Sequence, residues 1–262
     1  AAAAAAKGKP WFFFDNRIAS THRPFVDSEK QPIGVDPAAV VLPGHLPDTP
    51  VVRRDWAEYL NGVQLADAAL GRVLAELDAS GQAANTIVLY MGDHGPAYPH
   101  GKMTPYHLGL HVPLMIRLPG AKAGVVSDAL VHEIDLLPTL LDVLGLACDA
   151  PLQGRSLRAL VEDRPGAQGR EFIFSEVTGR WLDQTTGMEE RSVISERYQL
   201  IVRSRLSEHR QINADLRDWK TWRNRVYDEI VRLRNEYPEP YRILREMDPA
   251  KLGGMPPAIE LY

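Results

Sequence analysis

An α/β fold is what this sequence predicts: a mixed sheet flanked by helices, followed by a smaller carboxyl-terminal α+β subdomain of antiparallel sheet plus helix. Three observations carry that expectation. Ile87-Val88-Leu89-Tyr90-Met91 is a short apolar, β-branched-rich run stopped by Gly92, which reads as a buried strand. Ahead of it, Trp56, Leu60, Val63, Leu70, Leu74 and Leu77 follow a helical period from Arg53 to Ser80, with Gly81 as the stop. Beyond residue 170, the short apolar runs 172–174, 192–194 and 198–202 are separated by polar turns, the pattern of a small antiparallel sheet.

The remaining elements follow in chain order. Phe12 to Phe14 is a candidate strand, and residues 26–50 are a Pro-rich irregular loop. A strand is expected over 112–117. Val131 begins a short strand or turn before a helix at about 134–145 that Gly145 closes. Pro165-Gly166 marks a linker within the shift of composition from Pro151 to Gly169. From Leu216 to Tyr237 a charged helix places Trp219, Trp222, Val226, Ile230 and Leu233 on one stripe, which reads as a packing face. No internal repeat is visible. The division expected is 1–155 for a partial catalytic α/β domain and 156–262 for an incomplete carboxyl-terminal subdomain.

Composition limits the function classes. The 262 residues are 45% hydrophobic, enough to bury a large core. A net charge of −4 leaves no basic field for nucleic acid or an anionic membrane. No apolar run approaches the roughly 18 residues of a membrane span. A single cysteine, Cys148, excludes an intramolecular disulfide and reads as a partly buried thiol.

The chemistry concentrates between Thr86 and Gly120. The strand delivers Asp93-His94-Gly95, and Lys102 follows nine residues after the aspartate on a Gly- and Pro-rich loop. Ligands of α/β sheets collect beyond the carboxyl ends of strands, where Asp93 and His94 are expected. A carboxylate beside an imidazole suits a divalent cation, oxygen-rich for Ca²⁺ or Mg²⁺ and nitrogen-tolerant for Mn²⁺ or Zn²⁺; the alternative is a turn with an aspartate cap. Lys102 is placed to hold an anion on such a metal, a job an ammonium does as a point charge.

These residues sit in a longer pattern. Asp93-His94-Gly95, Gly101-Lys102-Met103-Thr104-Pro105-Tyr106, Val112-Pro113-Leu114 and Pro119-Gly120 fall in order within 35 residues. Upstream, Trp11-Phe12-Phe13-Phe14 is followed by Thr21-His22-Arg23-Pro24. Downstream come Asp135-Leu136-Leu137-Pro138-Thr139, Gly154-Arg155-Ser156-Leu157 and Glu260-Leu261-Tyr262. In that order they resemble the sulfatase family of the alkaline phosphatase-like superfamily, most strongly its sulfamidase-like branch, which cleaves N-sulfoglucosamine. The likeness spans nearly the whole chain and is loose over 160–255.

The resemblance implies an alkaline phosphatase-like fold and a metal-dependent hydrolase of sulfuric esters or sulfamates, acting on a sulfated carbohydrate. It implies Asp93 and His94 as metal ligands, Ca²⁺ first with Mg²⁺ or Mn²⁺ as alternatives, and His22 and Lys102 as catalytic, substrate-binding residues. Arg23 could contact substrate or form a surface ion pair. His100, His107 and His111 stay undecided between pocket and packing. Sulfatases attack sulfur with a hydrated formylglycine made in a Cys/Ser-x-Pro/Ala-x-Arg motif, which this sequence does not contain. The chain opens on six alanines and stops where the family continues with Asp, so it is expected to be part of a longer hydrolase. The family also implies a periplasmic, secreted or lysosomal-type compartment; the charge and the lack of a long apolar run point to no nucleic-acid or membrane partner, and a homo-oligomer is left open. A phosphonate or phosphate monoester hydrolase of the same superfamily, or an inactive binding module if the chain is complete, are the alternatives.

Overall fold

Thr49 and Pro50 decide where the longest helix begins. The Thr49 hydroxyl accepts from the backbone N–H of Val52 at 3.3 Å, and Pro50 takes the first helical turn, where a missing N–H leaves nothing unpaired. In the computed structural model, which describes residues 8–16, 34–102, 104–178, 189–204, 223–247 and 257–262, this helix, α1, runs Pro50–Ala79. The cap starts it three residues before the periodicity predicts. It ends as expected at Gly81, whose φ is +71°.

The first half of α1 lies on the main core. Val52, Trp56 and Ala57 are buried with Val40 and Leu46 of the preceding irregular segment, Tyr98 of the site loop, and Val226, Ile230 and Leu244 from much later in the chain. Trp56 and Tyr98 meet at 4.8 Å between ring centroids, and the Tyr98 hydroxyl donates to the buried Asp55 carboxylate at 2.7 Å. From Val63 onward α1 is more open, with Val63 and Leu65 exposed.

Strand β1, Val88–Met91, pairs antiparallel with β2, Leu114–Arg117, in the register Val88↔Arg117 to Met91↔Leu114. Both strands are where the sequence puts them, one or two residues shorter. The expected full burial of β1 is corrected: all four residues are half-buried, because among the described residues β2 is its one strand neighbour. Between them lies an unforeseen helical turn, α2, His107–Leu110.

Val131 begins no strand. His132 instead caps a 3₁₀ turn, Glu133–Asp135, that runs into α3, Leu136–Leu144, closed by Gly145 at φ +65°. Two sequence motifs meet here. The Thr139 hydroxyl donates to Asp135 O at 2.6 Å and accepts from Leu157 N at 2.8 Å, while Asp135 Oδ1 accepts from Arg155 N at 2.8 Å. A Cβ on Gly154 would lie 1.9 Å from Ile134 O, so only glycine fits. The turn then leads into α4, Arg158–Val161.

A four-stranded antiparallel sheet follows: β3 (Ile173–Thr178), β4 (Glu189–Ile194), β5 (Gln199–Ser204) and β6 (Ile259–Leu261), in that spatial order. The sequence predicts the first three; β6 is too short to read and is held by pairing Leu200↔Leu261 and Val202↔Ile259. The single helix expected to Tyr237 is corrected. A π turn, Arg223–Tyr227, leads into α5, Asp228–Arg232, and Pro238, which has no N–H, opens a separate α6, Pro238–Met247. Val226, Ile230 and Leu233 are buried as the stripe predicts, whereas Leu216, Trp219 and Trp222 lie outside the described residues.

Two further expectations are corrected. Phe12 to Phe14 form no strand and are exposed by 83%, 50% and 74%, with no neighbouring strand among the described residues. Cys148 is exposed, since the turn after Gly145 projects away from the core. Among the described residues no helix is long and apolar enough to cross a membrane.

Candidate active site

Gly92 turns the chain at the end of β1. Its N–H donates to Pro113 O at 3.0 Å, just ahead of β2, and Gly95 N donates to Gly109 O of α2 at 2.9 Å, so the Asp93-His94 pair is held at both sides. A Cβ on Gly95 would sit 1.7 Å from Leu108 O, which explains the glycine after the pair. Asp93 Oδ1 accepts from His94 N at 3.0 Å.

This arrangement sets the tautomer of His94. Its Nδ1 lies 2.9 Å from Gly95 O, and a carbonyl only accepts, so Nδ1 carries a proton and, in the neutral ring, Nε2 holds the lone pair. That lone pair lies 3.5 Å from Asp93 Oδ2. An imidazole nitrogen and an anionic oxygen at this separation, the aspartate side chain 87% exposed, form a donor pair that a divalent cation accepts. Among the described residues no group of three or more histidine, cysteine or carboxylate side chains converges on one point, so a cation held here would need further ligands.

Lys102 opens onto the same groove as Asp93 and His94, a cleft of about 1860 Å³ running along β2. Its loop is tightly folded: Lys102 N donates to Pro96 O at 2.8 Å, Gly101 N to Tyr98 O at 2.9 Å, and the Thr104 hydroxyl to Gly101 O at 2.7 Å. A Cβ on Gly101 would lie 2.1 Å from Pro96 O, so the residue before Lys102 must be glycine. Among the described residues the Lys102 ammonium makes no ion pair, which leaves it available to an anion. His22 and Arg23 lie outside the described residues.

The groove also holds residues the sequence left undecided or missed. His107 and His111, one helical turn apart, bring their rings to 4.6 Å between centroids and both line it. Glu133 lines it too; burial first, and the charge of Asp93 against the opposing His132, lifts its carboxyl above the usual value. His132 is occupied: Nδ1 accepts from Ile134 N at 3.2 Å, and Nε2 donates to Phe174 O at 3.0 Å. The i,i+4 spacing of the first pair was visible in the sequence. The approach of Glu133 to Asp93, forty residues away, was not.

His100 is not part of the groove lining. It sits at φ +60°, unusual for a residue with a Cβ, and stacks on Tyr106 at 3.7 Å between centroids. Burial, reinforced by His45, Arg242 and Arg203, pushes its imidazole down to about 3. A base whose folded pKa is depressed binds fewer protons than in the unfolded chain, so the stability it supports is complete above its ordinary 6.5 and is lost as pH falls toward 3. Denaturant melts at pH 6.5 and 4 are expected to show a loss on the order of 2 kcal/mol from this group. His100→Asn, which tolerates the left-handed backbone, is expected to remove that part of the pH dependence.

Comparison with known proteins agrees with the fold and the motifs. The family model described as sulfatase matches residues 3–146, and that described as N-sulphoglucosamine sulphohydrolase, C-terminal, matches residues 92–234. The chain is 35% identical over 116 residues to an ulvan-active sulfatase of Formosa agariphila, covering 44% of this chain and 20% of that protein. It is 33% identical over 145 residues to the human N-sulphoglucosamine sulphohydrolase, covering 51% of this chain and 29% of that protein. The structure of a phosphonate monoester hydrolase from Silicibacter pomeroyi superposes with a TM-score of 0.53 at 27% identity, over 77% of this chain and 45% of that one. The chain thus spans between a fifth and just under half of these relatives, and its α/β architecture is alkaline phosphatase-like as the motifs imply.

Proposed function

The chain belongs to the sulfatase family, and from that premise we propose that it supplies the cation-binding pair and the anion clamp of a metal-dependent hydrolase of sulfuric esters or sulfamates on a sulfated carbohydrate. The observation that carries this reading is the Asp93 Oδ2 to His94 Nε2 pair, 3.5 Å apart with the nitrogen lone pair free, on one groove with Lys102. Asp93 contributes the anionic oxygen and His94 the neutral nitrogen; calcium is the first expectation, with magnesium or manganese as alternatives. A bound cation would polarise a sulfuryl oxygen.

The chain's own residues do the rest of this half of the chemistry. Gly95 O holds His94 in the tautomer that presents Nε2, and the folded loop aims Lys102 at the charge that grows on the sulfuryl oxygens as the bond to the leaving oxygen or nitrogen breaks. His22 is proposed to contact the ester or protonate the leaving group. The family's formylglycine nucleophile arises from a motif that these 262 residues do not contain.

Sulfate release by the intact protein tests the proposal. With an aryl sulfate and with N-sulfoglucosamine as probes, turnover that falls on chelation and returns with added divalent metal is the expected result. Turnover of an aryl phosphonate with neither sulfated probe touched would replace the proposal by the phosphonate hydrolase reading.

A further inference from the structure

The loop that carries Lys102 is fastened at a point far from it in sequence. Tyr106, four residues after Lys102, is buried, and its hydroxyl sits between two charged groups of the carboxyl-terminal sheet. It accepts from Arg203 Nη2 at 2.7 Å and donates to Glu260 Oε2 at 2.9 Å. Arg203, buried on β5, also donates to Glu190 at 2.5 Å and Pro257 O at 3.0 Å, and pairs with Glu260 at 3.3 Å. Tyr262 closes the group, donating to Glu260 at 2.6 Å with its ring edge-on to Tyr106. Gln199, also on β5, donates to Pro105 O in the same loop.

We propose that Tyr106, Arg203 and Glu260 form a positioning device that holds the Lys102 loop at the groove, so that β5 and β6 control a group of the site which they do not themselves reach. The inference rests on the function proposed for Lys102. Its physical basis is the count of fixed directions. A guanidinium fork satisfied by two carboxylates, a carbonyl and a phenol has one orientation, and the phenol it holds then has one as well. On the other side, Tyr98 is tied to Asp55 of α1, and His45 reaches Pro99 O at 2.8 Å. The loop from Tyr98 to Tyr106 is therefore clamped between the long helix and the sheet. Burial pushes the Tyr106 phenol above its usual range, with Arg203 opposing and Glu260 adding to the rise, so it stays a hydrogen-bond donor to Glu260 across the working pH range.

Tyr106→Phe is the sparing test, since the ring and its stack on His100 remain while the hydroxyl is removed. In the intact protein kcat for sulfate release is expected to fall about 10- to 100-fold, with KM changed less than about threefold, because a displaced ammonium loses contact made mainly in the transition state. Acylation of Lys102 by an amine-reactive acetylating reagent, followed by peptide mass spectrometry, is expected to speed up several-fold with circular dichroism unchanged. Glu260→Gln, which keeps an acceptor oxygen, is expected to fall between Tyr106→Phe and the parent. A folded Tyr106→Phe protein with kcat within twofold of the parent and Lys102 labelled at the parental rate would overturn the proposal. If the parent releases no sulfate but Lys102 labelling rises in Tyr106→Phe, the positioning stands and the sulfatase reading falls.

Discussion

Replacing Lys102 by alanine is expected to lower kcat/KM for sulfate release about 1000-fold, equivalent to about 4 kcal/mol of transition-state stabilisation, while leaving thermal stability within about 0.5 kcal/mol. The size follows from where charge grows. As the bond from sulfur to the leaving atom breaks, negative charge builds in a groove partly screened from water, and a fixed ammonium beside it acts more strongly there than in bulk solvent. The small effect on stability follows from geometry. Among the described residues the Lys102 side chain holds no carboxylate, and the loop is fastened instead by backbone bonds and by Tyr98, His45 and Tyr106. Steady-state kinetics with N-sulfoglucosamine, together with a melting curve, checks both halves. A variant that retained more than a tenth of the parental kcat/KM would remove Lys102 from the mechanism.

Asp135→Ala is expected to act in the opposite way, through stability alone, at about 3–5 kcal/mol. Asp135 is completely buried and accepts from His132 N at 3.0 Å, Arg155 N at 2.8 Å and Arg170 Nε at 2.9 Å, with a further bond from Arg170 Nη2. Truncation strands a guanidinium and two backbone donors at the junction of α3 with the turn that precedes α4. Burial alone would raise this carboxyl, but Arg170 and the two backbone donors outweigh it and hold it below its ordinary value of 3.8. An acid with a depressed folded pKa supports stability above its unfolded pKa and loses it as pH falls through the folded one, so the parent-minus-variant difference should shrink below about pH 4. Urea unfolding of both proteins at pH 7 and pH 3 measures it. A difference under 1 kcal/mol at pH 7 would show that the four bonds are worth little against solvent.

Much of this molecule can be read residue by residue before any coordinates. The α1 period, the apolar run of β1, the Gly145 stop and the alternating runs of β3 to β5 are local patterns, and each became the element it predicted. The Asp93-His94 pair and Lys102 stand out in the sequence because chemistry and turn residues lie close together there, and the structure brings all three to one groove. The misses share a cause. Phe12 to Phe14 have strand composition but no neighbouring strand among the described residues, and a strand without a ladder leaves its backbone to water. The apolar stripe carried the expected helix on to Tyr237, whereas α5 ends at Arg232, because a helical period marks a packing face and not where the hydrogen-bonded turns stop.

By itself the sequence determined most of the order of elements and the family motifs, and it singled out Asp93, His94 and Lys102 as the residues proposed for the cation pair and the anion clamp, because these depend on residue types within one or two turns of chain. Only the tertiary structure decided that the Asp135 motif and the Gly154 turn are one hydrogen-bonded unit, that His94 presents Nε2, and that Tyr106 is locked by Arg203 and Glu260, 97 and 154 residues away. The physical reason is that a hydrogen bond between buried charged groups is set by the packing that excludes water from both partners, and that packing is a property of distant segments brought together.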